Sequence, residues 1–466
     1  MHQDSSVATL ADRLRAEVAR LHPGERLPSS RALMRRYQVS PVTVTRALGL
    51  LAAEGLVVTR PGSGAFAAER PEAAAGPADF GWQAVTLGDR AVDGEGVARL
   101  LTPPPEGAIA LSGGYLHPSL QPVRALANAA ARAARRPDAW ELPPLGGIPE
   151  LRAWFARTAG GETTAADVLI TSGGQQSLTT VLRALLPPGA PLLVESPTYL
   201  GALAVARASG LHPVPVPMDE DGLRPELLAE AFEMTGARVL YTQPTFHNPT
   251  GAVLPAARRA RVLAVARAAG AFVIEDDFAR HLAIDAIPPP LVSADQEGRV
   301  VHISSPTKAT AASLRVAAVI ARGPVAERIR ATQLIEEFFP ARPMQGTLLE
   351  LVSAPGWPRH LRSVRAALRA RRDAVRAALA RELPGLPVGN PAGGPHLWVG
   401  LPPGTDDVRL ADAALRAGVL VSAGRPFFPA EPPAPFLRVS YGSAASETEL
   451  AEGVRRLAEV VRATAR

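Results

Sequence analysis

The chain contains no cysteine and only one lysine among its 466 residues. Without cysteine it can hold neither disulfide bonds nor metals bound through thiolates, and no metal site is predicted. Aromatic residues are also few, at 5%, and no apolar run is long enough to cross a bilayer. The N-terminus shows no basic segment followed by an apolar one, so no secretion signal is predicted. These absences predict a cytoplasmic protein.

The remaining composition is typical of a folded protein with several domains. Hydrophobic residues make up 47% of the chain and charged residues 20%, and 466 residues exceed what one hydrophobic core usually organises. The net charge of +6 allows an acidic partner. We predict a first domain over residues 1–68, a linker rich in Ala, Gly and Pro over residues 69–106, and a large domain over residues 107–466.

The large domain alternates short apolar runs with helical stretches. The runs are DVLITSG, PLLVES, RVLYTQP, AFVIEDD, RVVHIS and RVAAVIA. Such alternation is typical of an α/β fold with a mostly parallel sheet. From about residue 345 the sequence predicts a long helix within a smaller C-terminal α+β subdomain, over residues 345–466.

The first domain carries the pattern of a winged helix-turn-helix. Apolar residues at helical spacing over residues 7–21 precede a second helix, predicted to start near Arg31 after a serine cap. Ser40 is the predicted N-cap of a third helix, and Pro41 takes its first position, where a missing N–H costs nothing. Two short strands around residues 61–64, Pro-Gly-Ser-Gly, predict a hairpin wing.

These residues resemble the GntR family of bacterial transcription regulators, above all in GERLPSSR and in AEGL before the wing. The resemblance implies that eight residues face DNA: Arg31, Arg35, Ser40, Thr43, Thr45, Arg46, Gly62 and Ser63. Residues 1–70 hold ten Arg against six Asp and Glu, the charge balance expected for contact with phosphates. For any single Arg, a solvated charged surface is a competing interpretation. Pro41 stands where the family often has a basic residue, so base reading is expected to depend more on the threonines and Arg46.

Lys308, in the stretch SSPTKATAASLR, is the only lysine, since 49 of the 50 Lys and Arg residues are arginine. A guanidinium keeps its proton in proteins, whereas an amine can lose its proton and condense with an aldehyde. Lys308 is therefore either a Schiff-base lysine or a chance survivor on a solvated loop. Its neighbours have to decide between the two.

Four motifs precede Lys308 in the large domain. SGGQQ (172–176) follows a strand and opens a helix, where free N–H groups can hold a phosphate. ESPTY (195–199) places an aromatic residue in the loop after the next strand. HNPTG (247–251) lies beyond the C-terminal end of a strand, where ligands bind in such sheets. EDD (275–277) ends a strand, where a carboxylate is usually a helix cap and otherwise a ligand contact.

In this order, and with Arg315 seven residues after the lysine, the motifs resemble those of class I/II aminotransferases. These are fold-type I enzymes that use pyridoxal 5′-phosphate (PLP). The resemblance implies that Lys308 forms the internal aldimine and that Asp276 pairs with the pyridine nitrogen. It also implies that Asn248 and Tyr199 contact the cofactor ring and that Arg438 binds the substrate carboxylate. The residues implied to contact the phosphate are Gly174, Gln175, Ser305, Thr307 and Arg315.

Over its whole length the chain resembles the MocR/GabR regulators, in which a GntR-type domain precedes an aminotransferase-like domain. The resemblance implies a head-to-tail, domain-swapped homodimer whose binding to double-stranded DNA responds to PLP and an amino compound. Phe278 and Leu142 stand where the family usually has tyrosines, and the missing hydroxyls favour sensing over turnover. Two alternatives are a working aminotransferase with an accessory DNA-binding domain, and a DNA-binding protein whose large domain is only a dimerisation scaffold.

Overall fold

The computed structural model of the protein describes residues 2–69, 79–87 and 94–464. The chain divides into two units, Met1–Arg90 and Ala91–Arg466. Of the predicted linker, residues 70–78 and 88–93 lie outside the described residues. None of the described helices combines the length and the apolar character needed to cross a bilayer.

The described part of the first unit contains helices and one antiparallel hairpin. Its elements are α1 (His2–Val18), α2 (Ser30–Tyr37), α3 (Pro41–Ala53), β1 (Val57–Arg60), β2 (Gly64–Ala67) and α4 (Gly81–Leu87). In the hairpin, Val57 pairs with Ala67 and Arg60 pairs with Gly64. Apolar side chains from α1, α2, α3 and the hairpin share one buried core. The predicted winged helix-turn-helix is confirmed.

Serine caps determine where α2 and α3 begin. The N–H of Ala32 donates to Ser29 Oγ, and the N–H of Thr43 donates to Ser40 Oγ. Pro41 occupies the first position of α3, where its missing N–H leaves no helical hydrogen bond unmade. A serine side chain therefore caps the start of each of these two helices.

The large unit is built on an eight-stranded sheet. The strands of this unit are β3 (Ile109–Ala110), β4 (Val168–Thr171), β5 (Pro191–Ser196), β6 (His212–Asp219), β7 (Gly222–Leu223), β8 (Val239–Thr242), β9 (Phe272–Asp277), β10 (Val300–Ser304), β11 (Ala317–Ile320), β12 (His396–Gly400), β13 (Val419–Leu420), β14 (Ser422–Ala423) and β15 (Phe436–Ser440). The order across the sheet is β4-β11-β10-β9-β8-β5-β6-β7. Strands β10, β9, β8, β5 and β6 pair in parallel, while β11 is antiparallel to both of its neighbours.

Helices cover both faces of this sheet. The α-helices of the large unit, including those of its C-terminal part, are α5 (Glu95–Leu101), α6 (Val123–Ala134), α7 (Pro149–Ala159), α8 (Gly174–Leu185), α9 (Leu200–Ala208), α10 (Pro225–Thr235), α11 (Ala256–Ala268), α12 (Pro324–Glu336), α13 (Arg342–Ser353), α14 (Gly356–Glu382), α15 (Asp407–Arg416) and α16 (Glu447–Thr464). Successive residues of one strand enter different cores: Leu192 lies in one, and Leu193 lies in the other. This burial on both sides explains why the strands read as continuous apolar runs.

The C-terminal part forms a smaller α+β layer, in which β12, β15 and β14 make an antiparallel sheet. The long helix predicted from about residue 345 is two helices, α13 and α14. Ala354, between them, has an extended ψ of 143°, because a proline at 355 disfavours helical geometry in the residue before it. The predicted fold class is confirmed, with this one break in the helix.

Candidate functional site

The carboxyl ends of five strands meet at one edge of the large sheet. Strands β4, β5, β8, β9 and β10 run in the same direction, so the loops that follow them lie together. These loops surround a cavity. All of the residues predicted to bind the cofactor or a carboxylate line it: Gly174, Gln175, Tyr199, Asn248, Asp276, Ser305, Thr307, Lys308, Arg315 and Arg438.

Lys308 lies on a short 3₁₀ helix directly after β10. Its Nζ is 3.7 Å from the centroid of the Tyr115 ring. A Cβ added at Gly114 would be in van der Waals contact with that Nζ, at 3.4 Å. Removal from water and the nearby Arg438 guanidinium lower the pKa of Lys308 to about 7. A large share of the amine is therefore neutral near pH 7, which is the form that attacks an aldehyde.

Arg315 and the start of α8 together form an anion site. Gly173 caps α8 with a φ of +96° and offers no side-chain acceptor, so the first N–H groups of the helix lack a side-chain cap. A Cβ at Gly173 would lie 2.7 Å from Arg315 Cζ, so only glycine admits the guanidinium here. Arg315 forms no ion pair or hydrogen bond with any residue that the structure describes. An unpaired guanidinium beside free helical N–H groups fits a phosphate.

Hydroxyl groups complete this end of the cavity. Ser305 Oγ and Thr307 Oγ1 lie 2.8 Å apart, and the Thr307 N–H donates to Ser305 Oγ at 3.3 Å. On the other side, Tyr199 donates its hydroxyl hydrogen to Gln175 Oε1 at 3.1 Å. These side chains are held in place by one another and add donors near the cationic end of the cavity.

The three acidic residues at the end of β9 have different surroundings. Glu275 accepts a hydrogen bond from the N–H of Leu291 at 2.7 Å. Asp277 is buried and pairs with Arg280. Only Asp276 lines the cavity. Glu275 and one oxygen of Asp277 are thus bonded within the protein, and Asp276 is the carboxylate that a ligand in the cavity can reach.

Two residues that the sequence analysis did not single out hold Asp276. The Tyr241 hydroxyl donates to Asp276 Oδ2 at 2.7 Å, and Gln243 Nε2 donates to the same oxygen at 2.8 Å. Burial raises the pKa of Asp276, and these two hydrogen bonds oppose that rise. Oδ1 has no hydrogen-bond partner among the described residues. A protonated ring nitrogen facing Oδ1 would stabilise the carboxylate, as PLP requires.

Arg438, on β15, is only 1% exposed. It donates to Asn248 Oδ1 at 3.0 Å and to the carbonyl oxygen of Ser112 at 2.6 Å. Its Nε–H is buried without a partner in the described chain. Burial lowers the pKa of Arg438 to about 9. A buried guanidinium with an unsatisfied donor in a cavity fits an incoming carboxylate.

The two positions where the family has tyrosine differ in placement. Phe278 lines the cavity and brings an apolar ring, without a hydroxyl, to it. Leu142 is 70% exposed and is absent from the lining of this cavity. Phe278 therefore lies beside the site, whereas Leu142 does not line the cavity of its own chain.

In the first unit, most of the residues predicted to contact DNA are exposed, on α2, at the start of α3 and on the wing. They are Arg31, Arg35, Ser40, Thr45, Arg46, Gly62 and Ser63. Thr43 is different, since it is only 8% exposed. Its Oγ1 lies 2.8 Å from Ser40 Oγ, which makes it part of the helix cap. Thr43 is therefore buried and bonded within its own unit, and its contact with DNA stays a prediction.

Two arginines at the wing were not among the predicted contacts. A Cβ at Gly64 would lie 3.2 Å from Arg26 Nε, so this guanidinium lies against the hairpin. The guanidinium of Arg60 is 5.0 Å from the centroid of the Phe66 ring. Both arginines are exposed. Arg26 belongs to the GERLPSSR motif, so a signal for it was present in the sequence.

Comparisons with known proteins agree with both halves of the chain. The family model "Aminotransferase class I and II" matches residues 111–457, and "Bacterial regulatory proteins, gntR family" matches residues 7–67. The HTH-type transcriptional regulator TauR of Rhodobacter capsulatus is 30% identical, over 95% of this chain and 93% of its own. The 2-aminoadipate transaminase of Thermus thermophilus is 33% identical, over 76% of this chain and 90% of its own.

Solved structures show the same likeness for the large unit. The crystal structure of LysN, an α-aminoadipate aminotransferase from Thermus thermophilus, is 31% identical, with a TM-score of 0.76. The match covers 82% of this chain and 98% of that one. The chain belongs to the aminotransferase class I and II family and, with its GntR-type winged helix-turn-helix, to the MocR-type DNA-binding transcription regulators.

Proposed function

We propose that this regulator binds PLP through Lys308, that an amino compound then binds in the same cavity, and that occupancy changes its affinity for DNA. The observation that carries the proposal is that one cavity is lined by both Lys308, the only lysine in the sequence, and Arg315, which has no partner among the residues that the structure describes. A reactive amine, an anion site and a buried carboxylate together form the donor set that PLP needs.

Different residues of the cavity would hold different parts of the cofactor. The N–H groups of α8 with Gly174 and Gln175, the hydroxyls of Ser305 and Thr307, and Arg315 would hold the phosphate. Asp276 would hold the ring nitrogen, and Asn248 and Tyr199 would contact the ring. When bound, the cofactor supplies an aldehyde that links reversibly to an amine. Lys308 provides the protein's own amine for that link, and its pKa of about 7 keeps it reactive near neutrality.

Arg438 orients the incoming amino compound. Its guanidinium is fixed by Asn248 and Ser112 and keeps one buried donor for a carboxylate. Arg438 also bonds Asn248, which is predicted to contact the ring. The carboxylate of the effector and the ring of the cofactor would therefore contact two side chains that are hydrogen-bonded to each other. We propose that two chains form a head-to-tail, domain-swapped homodimer in the cytoplasm, and that each DNA-binding unit reads double-stranded DNA.

A working aminotransferase is the second candidate, because the chain is 33% identical to a transaminase and its cavity gathers the predicted residues. Phe278 favours sensing, since a phenyl ring in the cavity cannot donate a hydrogen bond to the cofactor. Multiple turnovers of an amino acid and a 2-oxo acid, at about 1 per second or faster, would favour the enzyme.

The deciding experiment measures DNA binding against occupancy. A binding site is first selected from random duplex DNA with the whole protein. Affinity for that site is then measured without PLP, with PLP, and with PLP plus a panel of amines and amino acids. We expect PLP or PLP with an amine to change the affinity of the wild type and to leave Lys308→Ala unchanged. Equal affinities under all conditions, with no visible absorption from bound PLP, would support a dimerisation scaffold instead.

A further inference from the structure

Two leucines at the end of α5 line the cavity that holds Lys308. The helix containing them has no buried side chain, and Leu101 is 62% exposed. Leu100 and Leu101 therefore present apolar surface to the space that an effector would enter. Such surface gains most when another apolar group covers it and displaces water.

Each cationic side chain of the cavity already has a proposed role in binding the cofactor or the effector. Among the described residues that line it, the Lys and Arg side chains are Lys308, Arg315 and Arg438. They serve the aldehyde, the phosphate and one carboxylate. His396 also lines the cavity, but burial and Arg438 hold its pKa well below its usual value of 6.5, so it is neutral at pH 7. No cation in this described lining is left for a second carboxylate, and a buried unpaired carboxylate would be costly.

Helix α5 packs against the large unit where Gly96 faces Leu200 of α9, but it buries none of its own side chains. Its N-cap, Gly94, makes no side-chain hydrogen bond. Arg99 lies 3.9 Å from Asp412, and both side chains are more than half exposed, so this pair adds little. A helix of seven residues is marginal alone. Contacts made to α5 by a ligand would therefore change how firmly it is held.

The position of α5 along the chain gives those contacts a route to the DNA-binding unit. The first unit ends at Arg90, and α5 begins at Glu95. The segment that carries the two leucines is thus also the end of the connection between sensor and DNA-binding unit. Holding or releasing α5 changes the constraint on that connection, which is a physical basis for coupling between two sites.

We propose that the effector is an amino acid with a single carboxylate and an apolar side chain, and that this side chain contacts Leu100 and Leu101 and thereby links effector binding to the DNA-binding unit. The inference rests on the proposed function, because Lys308 and Arg438 position the amine and the carboxylate. It adds the class of side chain that the site selects and the helix that reports it.

The first test titrates the PLP-loaded protein with L-leucine and with L-glutamate and follows the change in the visible absorption band. We expect the dissociation constant to be at least about tenfold lower for L-leucine. Leu101→Arg should reverse this order, because it adds a cation to the apolar wall. Leu87→Arg is the matched control: Leu87 is 74% exposed on α4 and does not line the cavity, so that variant should behave as the wild type.

The second test measures affinity for the selected DNA site with PLP alone and with PLP plus L-leucine. L-leucine should change the affinity of the wild type by at least about fivefold. The Leu100→Ala, Leu101→Ala double variant should lose this change while keeping the PLP band, which shows that it is folded.

The outcomes separate the two proposals. Absence of any PLP band in the wild type overturns both the proposed function and this inference. A PLP band with DNA binding that responds to PLP, but with equal affinities for L-leucine and L-glutamate, overturns this inference alone. A Leu101→Arg variant that cannot be told from Leu87→Arg also overturns it.

Discussion

The lowered pKa of the Lys308 amine sets the pH range in which the site should react with PLP. Its pKa is about 7 because it lies in a cavity near two guanidinium groups, whereas an ordinary lysine titrates near 10.4. Only the neutral amine condenses with the aldehyde of PLP. The rate of PLP uptake, followed by growth of its visible absorption, should therefore rise about tenfold per pH unit below pH 7 and level off above it.

Lys308→Ala controls that measurement, since it should show no band that borohydride removes. A rate that keeps rising to about pH 10 would mean that the amine is an ordinary, solvated lysine. A borohydride-sensitive band in Lys308→Ala would contradict the assignment of the lysine itself.

Arg315 is the residue through which the anion site can be tested. Replacing it by alanine removes charged hydrogen bonds worth about 1.5–3 kcal/mol, so the dissociation constant for PLP should rise roughly ten- to 150-fold. Pyridoxal, which has no phosphate, should bind both proteins equally. Arg183→Ala, at the far end of α8 and 59% exposed, should have no effect. An equal loss of affinity for PLP and pyridoxal would show that Arg315 does not serve the phosphate.

Sequence motifs predicted the residues that line the cavity better than those that support them. Lys308 and Asp276 stand in short patterns that the sequence displays directly. Tyr241 and Gln243 reach Asp276 only because β8 lies beside β9, with Tyr241 opposite Ile274. No local pattern announces such a contact. Nor does the sequence show that Thr43, a hydroxyl residue on a helix predicted to bind DNA, is buried by packing within its own unit.

At the scale of elements, apolar runs predicted the strands, and prolines concealed one. β6 carries Pro213, Pro215 and Pro217 at alternate positions, which argues against a central strand. The strand pairs with β5 along its length and with β7 only at its end. Prolines two residues apart share one edge of the strand, so their missing N–H groups can all face away from β5. The short helix α5 lies inside the predicted linker, where no sequence signal beyond composition predicted a helix.

The helices α2 and α3 should contribute to DNA binding in different ways. Arg31 and Arg35 lie on α2, before the recognition helix, and we expect them to contact phosphates. Replacing either by alanine should weaken binding to every sequence alike and make the salt dependence shallower by about one unit. Thr45 and Arg46 lie on α3, so alanine there should change the preferred base pairs, at a cost of about 1–3 kcal/mol per affected position.

Titrations over a salt series, with selected and scrambled DNA, distinguish these two classes of residue. Arg20→Ala is a suitable control, since Arg20 lies after α1 and outside both helices. Should Arg46→Ala weaken binding to selected and scrambled DNA equally, its role would be contact with the backbone and not with bases.

At the scale of the whole molecule, the connection between the two units determines which distances between DNA half-sites a dimer can bridge. The predicted linker spans 38 residues from Glu69 to Glu106. Because each residue adds at most about 3.3–3.6 Å to the reach of a chain, a connection of that length can extend beyond one helical turn of DNA, about 34 Å. The helices α4 and α5 shorten that reach. A dimer with two such connections should therefore accept some variation in the distance between its half-sites.

The expected result is a weak dependence of affinity on half-site spacing. Changing the spacer of the selected site by about 5 or 10 base pairs, half a turn or a full turn, should alter affinity by less than about tenfold. DNA with a single half-site should bind much more weakly, because the second unit then loses its tethered contact. If a half-turn insertion lowers affinity to that of scrambled DNA while a full-turn insertion restores it, the two units are held rigidly. Recognition would then require two half-sites on the same face of the duplex.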